Sequence, residues 1–166
     1  MPVNYAEIKE FADKLSEKWY GLKNWISIKP KETGQFLFDW AGLRGIPGLY
    51  RLILCKPLNV KFDIIKETVN VHLKNDVILS IGKTGDLGQR LGDDHFCSNK
   101  RSGRLRCHLE RLFPEDTINY RWLSKMIRDG IIKLEYIQIE EWWKRDLLEA
   151  YGRSLNACLF DLGIEH

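Results

Sequence analysis

Apolar patterns of two periods follow one another along this chain in the order helix, strands, helices, strand, helix. That order favours an α+β fold over alternating βαβ units. Ile8, Phe11, Ala12, Leu15, Trp19 and Leu22 recur at helical spacing, and Asn4 with Glu7 resembles a capping box, so an amphipathic helix is expected first. Pro30, Gly34, Gly42, Gly45 and Pro47 then break the pattern and leave room for at most a short strand around Phe36 to Phe38. Leu49 to Cys55, Val69 to Leu73 and Val77 to Ile81 are β-rich runs, the last two flanking the turn-like Lys74-Asn75-Asp76, and are predicted as neighbouring antiparallel strands. Leu105, Leu109, Leu112 and Phe113 form a helical stripe. A helix around Trp122 to Arg128 stops at Gly130, Ile131 to Ile139 reads as a strand, and a last helix from Glu140 to Tyr151 is expected to end at Gly152. The predicted architecture is a small central antiparallel β-sheet flanked by helices. Within one domain, residues 1–47 form an N-terminal helix and loop extension, 48–156 the core and 157–166 a tail.

Composition supports one globular domain. The chain has 166 residues, of which 44% are hydrophobic and 30% charged, enough to bury a core and unlike a disordered or collagen-like chain. No apolar run approaches the roughly 20 residues that span a bilayer, and MPVNYAEIKE lacks the basic and apolar regions of a signal peptide. A cytoplasmic protein that does not engage a membrane is expected. Cys55, Cys97, Cys107 and Cys158 are scattered, form no CxxC, and read as reduced thiols.

Charge is unevenly placed. From Asn99 to Phe113 five cations (Lys100, Arg101, Arg104, Arg106 and Arg111) face the single carboxylate of Glu110, whereas the whole chain carries a formal charge of only +3. Helical spacing puts Arg101, Arg104, His108 and Arg111 on one stripe beside the apolar one. Such a stripe is either a solvated helix face or a surface for a polyanion, because each cation that neutralises a phosphate releases counterions.

Two familiar chemistries fail on spacing. Ile81-Gly82-Lys83-Thr84 lacks the earlier glycine of a phosphate-binding P-loop, since position 77 is valine. His95, Cys97, Cys107 and His108 match none of the common structural zinc spacings.

A third constellation is more specific. Gly48-Leu49-Tyr50 lies on a predicted strand and Ser80-Ile81-Gly82-Lys83-Thr84 ends a second. Arg90 follows Gly82 on a predicted helix, and Arg153-Ser154-Leu155-Asn156 closes the last helix. In that order and spacing the chain resembles the GIY-YIG nuclease family over Gly48 to Asn156, with the segment Lys56 to Asp76 inserted between the first two motifs. The resemblance implies hydrolysis of DNA phosphodiesters, with one Mg²⁺ or Mn²⁺ per active site. Tyr50 would position or deprotonate the attacking water, Lys83 would supply positive charge near it, Arg90 would hold the scissile phosphate, and Asn156 would brace the metal-bearing helix. Ser80 stands where the family has its second tyrosine, and Lys83 or His95 would substitute for it. Lys144 occupies the position expected for the metal-binding glutamate, which leaves Glu141 or Glu149 as the ligand. If Trp143, Leu147 and Tyr151 face the core, Glu141 stands one turn from Lys144 and Glu149 points nearly opposite the core, so Glu141 ranks first.

The partner implied is double-stranded DNA. Lys100, Arg101, Arg104 and Arg106 would lie along its phosphates, and residues 1–47 with the Lys56 to Asp76 insert would recognise the target. A homodimer would suit cleavage of a symmetric site. The alternatives are a catalytically degenerate relative that binds nucleic acid without cutting it, and an interaction module unrelated to nucleic acid.

Overall fold

The computed structural model describes residues 3–32, 37–64, 67–96 and 104–156. The architecture is α+β, with a four-stranded antiparallel sheet flanked by helices and preceded by an N-terminal helical segment.

Asn4 caps the first helix, its side chain accepting from the Ala6 amide, but the expected single amphipathic helix is two. α1 spans Tyr5–Asp13 and α2 Leu15–Tyr20, with Lys14 outside helical geometry between them. The break turns Trp19 inward while Phe11 meets the ring of Trp143 edge-on at 5.3 Å. β1 (Ile26–Ser27) follows, and Phe36 of the expected short strand lies outside the described residues, Leu37 and Phe38 being bends.

The sheet has the order β1-β6-β2-β5, where β2 is Gly48–Leu54, β5 is Val77–Thr84 and β6 is Ile132–Gln138. β2 lies between two partners and its side chains are almost all buried, which requires covered faces on both sides. Tyr50, Leu52, Leu54, Ile132 and Leu134 face one core, completed by Leu87, Leu91, Leu105, Leu109 and Leu123 of the middle helices. Leu49 and Ile81 face the other, closed by Trp19, Ile139 and Leu148. Between Leu52 and Ile53 the β2–β5 register shifts by a bulge, with Leu52 opposite Ser80 and Ile53 opposite Ile78.

The insert corrects the expected strand neighbours. β3 (Leu58–Ile64), which no run predicted, pairs with β4 (Glu67–Leu73) in a separate two-stranded ribbon, and β4 does not pair with β5. The turn between β4 and β5 is real, with Asp76 at φ 61°, but it redirects the chain rather than closing a hairpin.

The middle helices are α3 (Leu87–Gln89), which runs into a π-helical turn at Arg90–Asp94, then α4 (Arg104–Leu112) and α5 (Tyr120–Arg128). The last helix, α6, spans Trp142–Asn156 and passes through Gly152 rather than ending there. Gly152 is needed for packing: a Cβ at this position would lie 2.4 Å from the Trp19 ring. Among the described residues, no helix is long and apolar enough to cross a membrane.

Candidate active site

The site grows from one cross-strand pair. Tyr50 of the central strand is registered opposite Gly82 of β5, the edge strand. The phenol lies across the glycine, so that a Cβ at position 82 would meet the Tyr50 Cζ and Oη at 2.2 Å. Glycine thus permits a large side chain to cross the edge strand at backbone height, and the phenol oxygen is delivered to the sheet margin.

The π turn supplies the phenol's neighbours. The Arg90 carbonyl accepts from the His95 amide at 3.1 Å, the wide spacing of a π turn, and this brings Arg90, Asp94 and His95 together beside Tyr50. The turn is launched by Asp86, whose side chain accepts from the Gln89 amide at 2.9 Å, while Thr84 Oγ1 accepts from the Asp86 amide at 3.0 Å. Nε2 of His95 and the Tyr50 hydroxyl are 2.5 Å apart, and Arg90 Nε donates to the same oxygen at 3.4 Å. Arg90 also pairs with Asp94 at 3.5 Å.

Burial sets the electrostatics of this trio. Tyr50 is 4% exposed and His95 5%. Burial pushes the pKa of the Tyr50 phenol above that of a free phenol, against the opposing pull of Arg90. Burial, with Arg90 and His108 nearby, lowers His95 to about 3. At neutral pH the pair is therefore an uncharged phenol and an uncharged imidazole. Among the described residues Nδ1 of His95 has no hydrogen-bond partner although it is buried.

From the opposite face of the sheet, α6 contributes the acidic half. Glu149 Oε2 pairs with Lys83 at 3.2 Å and Glu149 Oε1 with Arg153 at 3.5 Å, while Asp146 holds the same Lys83 ammonium at 3.0 Å. Lys83, held by Glu149 and Asp146, and Arg90, bonded to Tyr50, meet at the β5 edge. An open cleft of about 420 Å³ runs along that edge, lined by Lys83, Thr84, Gly85, Asp86, Gln89, Arg90 and Asp94.

Of the two candidate glutamates, Glu149 is the one at the β5 edge. The buried residues of α6 are Trp143, Leu148 and Gly152, with Leu147 and Tyr151 half-buried, so the covered face is wider than the Trp143, Leu147 and Tyr151 stripe expected from sequence. Its widened side reaches Glu149, whose side chain is 12% exposed rather than turned opposite the core. Glu141 precedes the helix, is 48% exposed, and is occupied by Lys144 at 2.8 Å, which keeps its carboxyl below the usual range. Lys144 in turn lies over the rings of Phe11 and Trp143, away from the cleft.

The remaining expected residues are dispersed. Ser80 is half-buried opposite Leu52, two cross-strand pairs along from Tyr50 and Gly82. Asn156 Nδ2 donates to the Gly152 carbonyl at 2.7 Å and so bonds within the last turn of α6. Arg106 pairs with Glu110 at 3.4 Å along α4. Lys100 and Arg101 lie outside the described residues, and only the backbone of Arg104 is described, at the start of α4. Asp146 and Asp94 were not anticipated; Asp94 four residues after Arg90, and Asp146 three before Glu149, are the helical spacings that place them there.

Comparison with family models, with curated proteins and with solved structures finds no match for this chain.

Proposed function

We propose that the chain is a divalent-metal-dependent endonuclease of the GIY-YIG type that hydrolyses phosphodiesters of double-stranded DNA. The observation that carries this reading is that Arg90, bonded to Tyr50 beside His95, and Lys83, paired with Glu149, line one cleft at the β5 edge. A guanidinium lining the cleft, with a phenol and an imidazole buried behind it and a carboxylate paired to the cleft's lysine, supplies the groups that a water attack on phosphorus requires.

Tyr50 would take a proton from the attacking water. A buried phenol ionises only when positive charge is near, and Arg90, donating to its oxygen, supplies part of that charge. His95 Nε2 is the group closest to the phenol oxygen and, held neutral, would orient the hydroxyl as a hydrogen-bond acceptor; at about 3 it is too weak a base to keep the phenol's proton, which would leave to solvent before the attack. Arg90 also lines the cleft, where its other N–H groups neutralise charge building on the phosphoryl oxygens. His95 takes the place left by the serine at position 80.

The donor set suits Mg²⁺ or Mn²⁺. Among the described residues no group of three or more ligating side chains is present, and Mg²⁺ is commonly held by one or two carboxylates while keeping several waters. Glu149 would hold the ion, displacing Lys83 and Arg153, and the ion when bound would stabilise the leaving oxygen. Lys83 would be released toward the phosphate. A homodimer in a cytoplasmic setting would suit cleavage of a two-fold site.

A second reading is favoured by one observation. Glu149 already carries two cationic partners, the state expected of a relative that binds nucleic acid without cutting it. Plasmid nicking separates the two readings. The enzyme is expected to nick supercoiled DNA in Mg²⁺ or Mn²⁺ but not in EDTA, with Tyr50→Phe and Arg90→Ala inactive. Salt-sensitive binding without nicking, across DNA of varied sequence, would favour the non-cleaving relative.

A further inference from the structure

Helix α5 carries Arg121, Ser124, Lys125 and Arg128 at helical spacing, and these line an open depression of about 300 Å³ together with Leu37 and Asp129. None of these residues lines the cleft at the β5 edge. Three cations face one carboxylate. Neither Arg121 nor Lys125 has an ion-pair partner among the described residues, and Arg128 spends one N–H on the Lys31 carbonyl at 2.6 Å. The Asp129 carbonyl is engaged by Lys56 Nζ at 2.9 Å.

Two features separate this cluster from an ordinary solvated helix face. Ser124 is only 2% exposed, yet its hydroxyl has no hydrogen-bond partner among the described residues. A buried hydroxyl left unpaired is costly, and Ser124 is one of the residues that line the depression. The cations are also placed without regard for helix stability. Lys125 and Arg128, in the last turn, complement the negative end of the helix, but Arg121 sits in the first turn, which contains no acidic residue. A cation there opposes the positive end of the dipole.

We propose that this depression is a phosphate-binding subsite, with Arg121 and Lys125 neutralising the oxyanion and the Ser124 hydroxyl donating to it. Its occupant is a backbone phosphate of a nucleic acid whose scissile bond is held in the cleft at the β5 edge. In naming DNA as the source the proposal rests on the nuclease reading; phosphate recognition itself does not.

The test uses the full chain, the double variant Arg121→Gln/Lys125→Gln, and Ser124→Ala as a milder change that keeps the surface charge. Thermal unfolding is followed with inorganic phosphate against chloride at constant ionic strength, and duplex binding is followed against salt. Phosphate is expected to raise the Tm of the wild type but not of the double variant, with Ser124→Ala intermediate. The slope of log affinity against log salt is expected to fall by about 2 in the double variant, one unit per cation removed. Selective phosphate protection with an unchanged slope supports the subsite and assigns it to a free phosphate ligand. A reduced slope without selective protection supports it as a polymer contact. Equal phosphate response in wild type and variants, with an unchanged slope or no duplex binding, overturns it. Phosphate protection in a protein that never nicks DNA leaves the subsite standing and removes only the nuclease reading.

Discussion

β2 with β5, and β3 with β4, are antiparallel ladders of similar length, but they stand in different surroundings. The β2–β5 pair is covered on both faces, and its Tyr50–Gly82 rung fixes a phenol against a glycine with no room to spare. The β3–β4 ribbon packs chiefly on itself among the described elements, and Asn59, Lys61, Asn70 and His72 on one of its faces are exposed. His72 Nδ1 and Asn59 Oδ1 lie 2.6 Å apart across the ladder, a contact open to solvent. Local alternation alone therefore does not decide what a strand pair is for. Burial on both faces makes one ladder a rigid mount for chemistry, while the other remains an arm joined to the core near Leu58 and Leu73.

Four changes would break or sharpen that contrast. The largest effect is expected at the phenol: Tyr50→Phe should reduce nicking by about 10²–10⁴-fold, the usual contribution of a positioned base, while leaving the fold intact by circular dichroism. Next is Gly82→Ala, where the added Cβ would overlap the Tyr50 ring; denaturant unfolding should show a loss of about 1–3 kcal/mol, the range for overpacking a filled core. A loss below about 0.5 kcal/mol would mean that Tyr50 does not lie across position 82.

The third concerns pH. His95 is held at about 3 in the folded protein and returns to its ordinary 6.5 on unfolding, so below 6.5 the unfolded chain binds the extra proton. Its contribution to stability is fully present above 6.5 and is lost as pH falls toward 3, with a slope approaching about 1.4 kcal/mol per unit. His95→Gln should flatten that part of the stability profile, read by unfolding from pH 7 to 4. The smallest effect is expected in the ribbon, where Lys61→Ala should change stability by less than about 0.5 kcal/mol, as for other exposed sites. A larger loss would show that the arm is packed on something.

What was legible in the sequence follows from the same contrast. β2, β5, β6 and α5 announce themselves because their burial pattern is complete within a single run, and Asn4 and Gly130 mark ends through backbone chemistry local to them. Pairing was not legible for β4, because the turn at Lys74-Asn75-Asp76 suits a hairpin, and only the topology shows that β3 has taken its place. Gly152 reads as a helix stop until Trp19, far away in sequence, is seen to need the space. Tyr50, Lys83, Arg90 and His95 could be named from motif spacing and the structure brings them to one edge. The choice between Glu141 and Glu149 could not be made that way. The expected stripe of Trp143, Leu147 and Tyr151 is narrower than the face that α6 covers, and Leu148 and Gly152 extend it toward Glu149. The α5 depression escaped notice because it depends on Leu37 closing over a helix face that the sequence presents only as basic.

The central claim is that chemistry belongs to the β5 edge, with Glu149 as its acidic member. The most direct measurement is nicking of supercoiled plasmid in Mg²⁺ by Glu149→Gln and Glu141→Gln side by side, each first confirmed folded by its thermal melt. The account predicts that Glu149→Gln loses nicking by about 10²-fold or more, as expected when a group stabilising the transition state is removed, and that Glu141→Gln stays within about twofold of the wild type. Retained nicking in Glu149→Gln, or its loss in Glu141→Gln alone, would contradict the account.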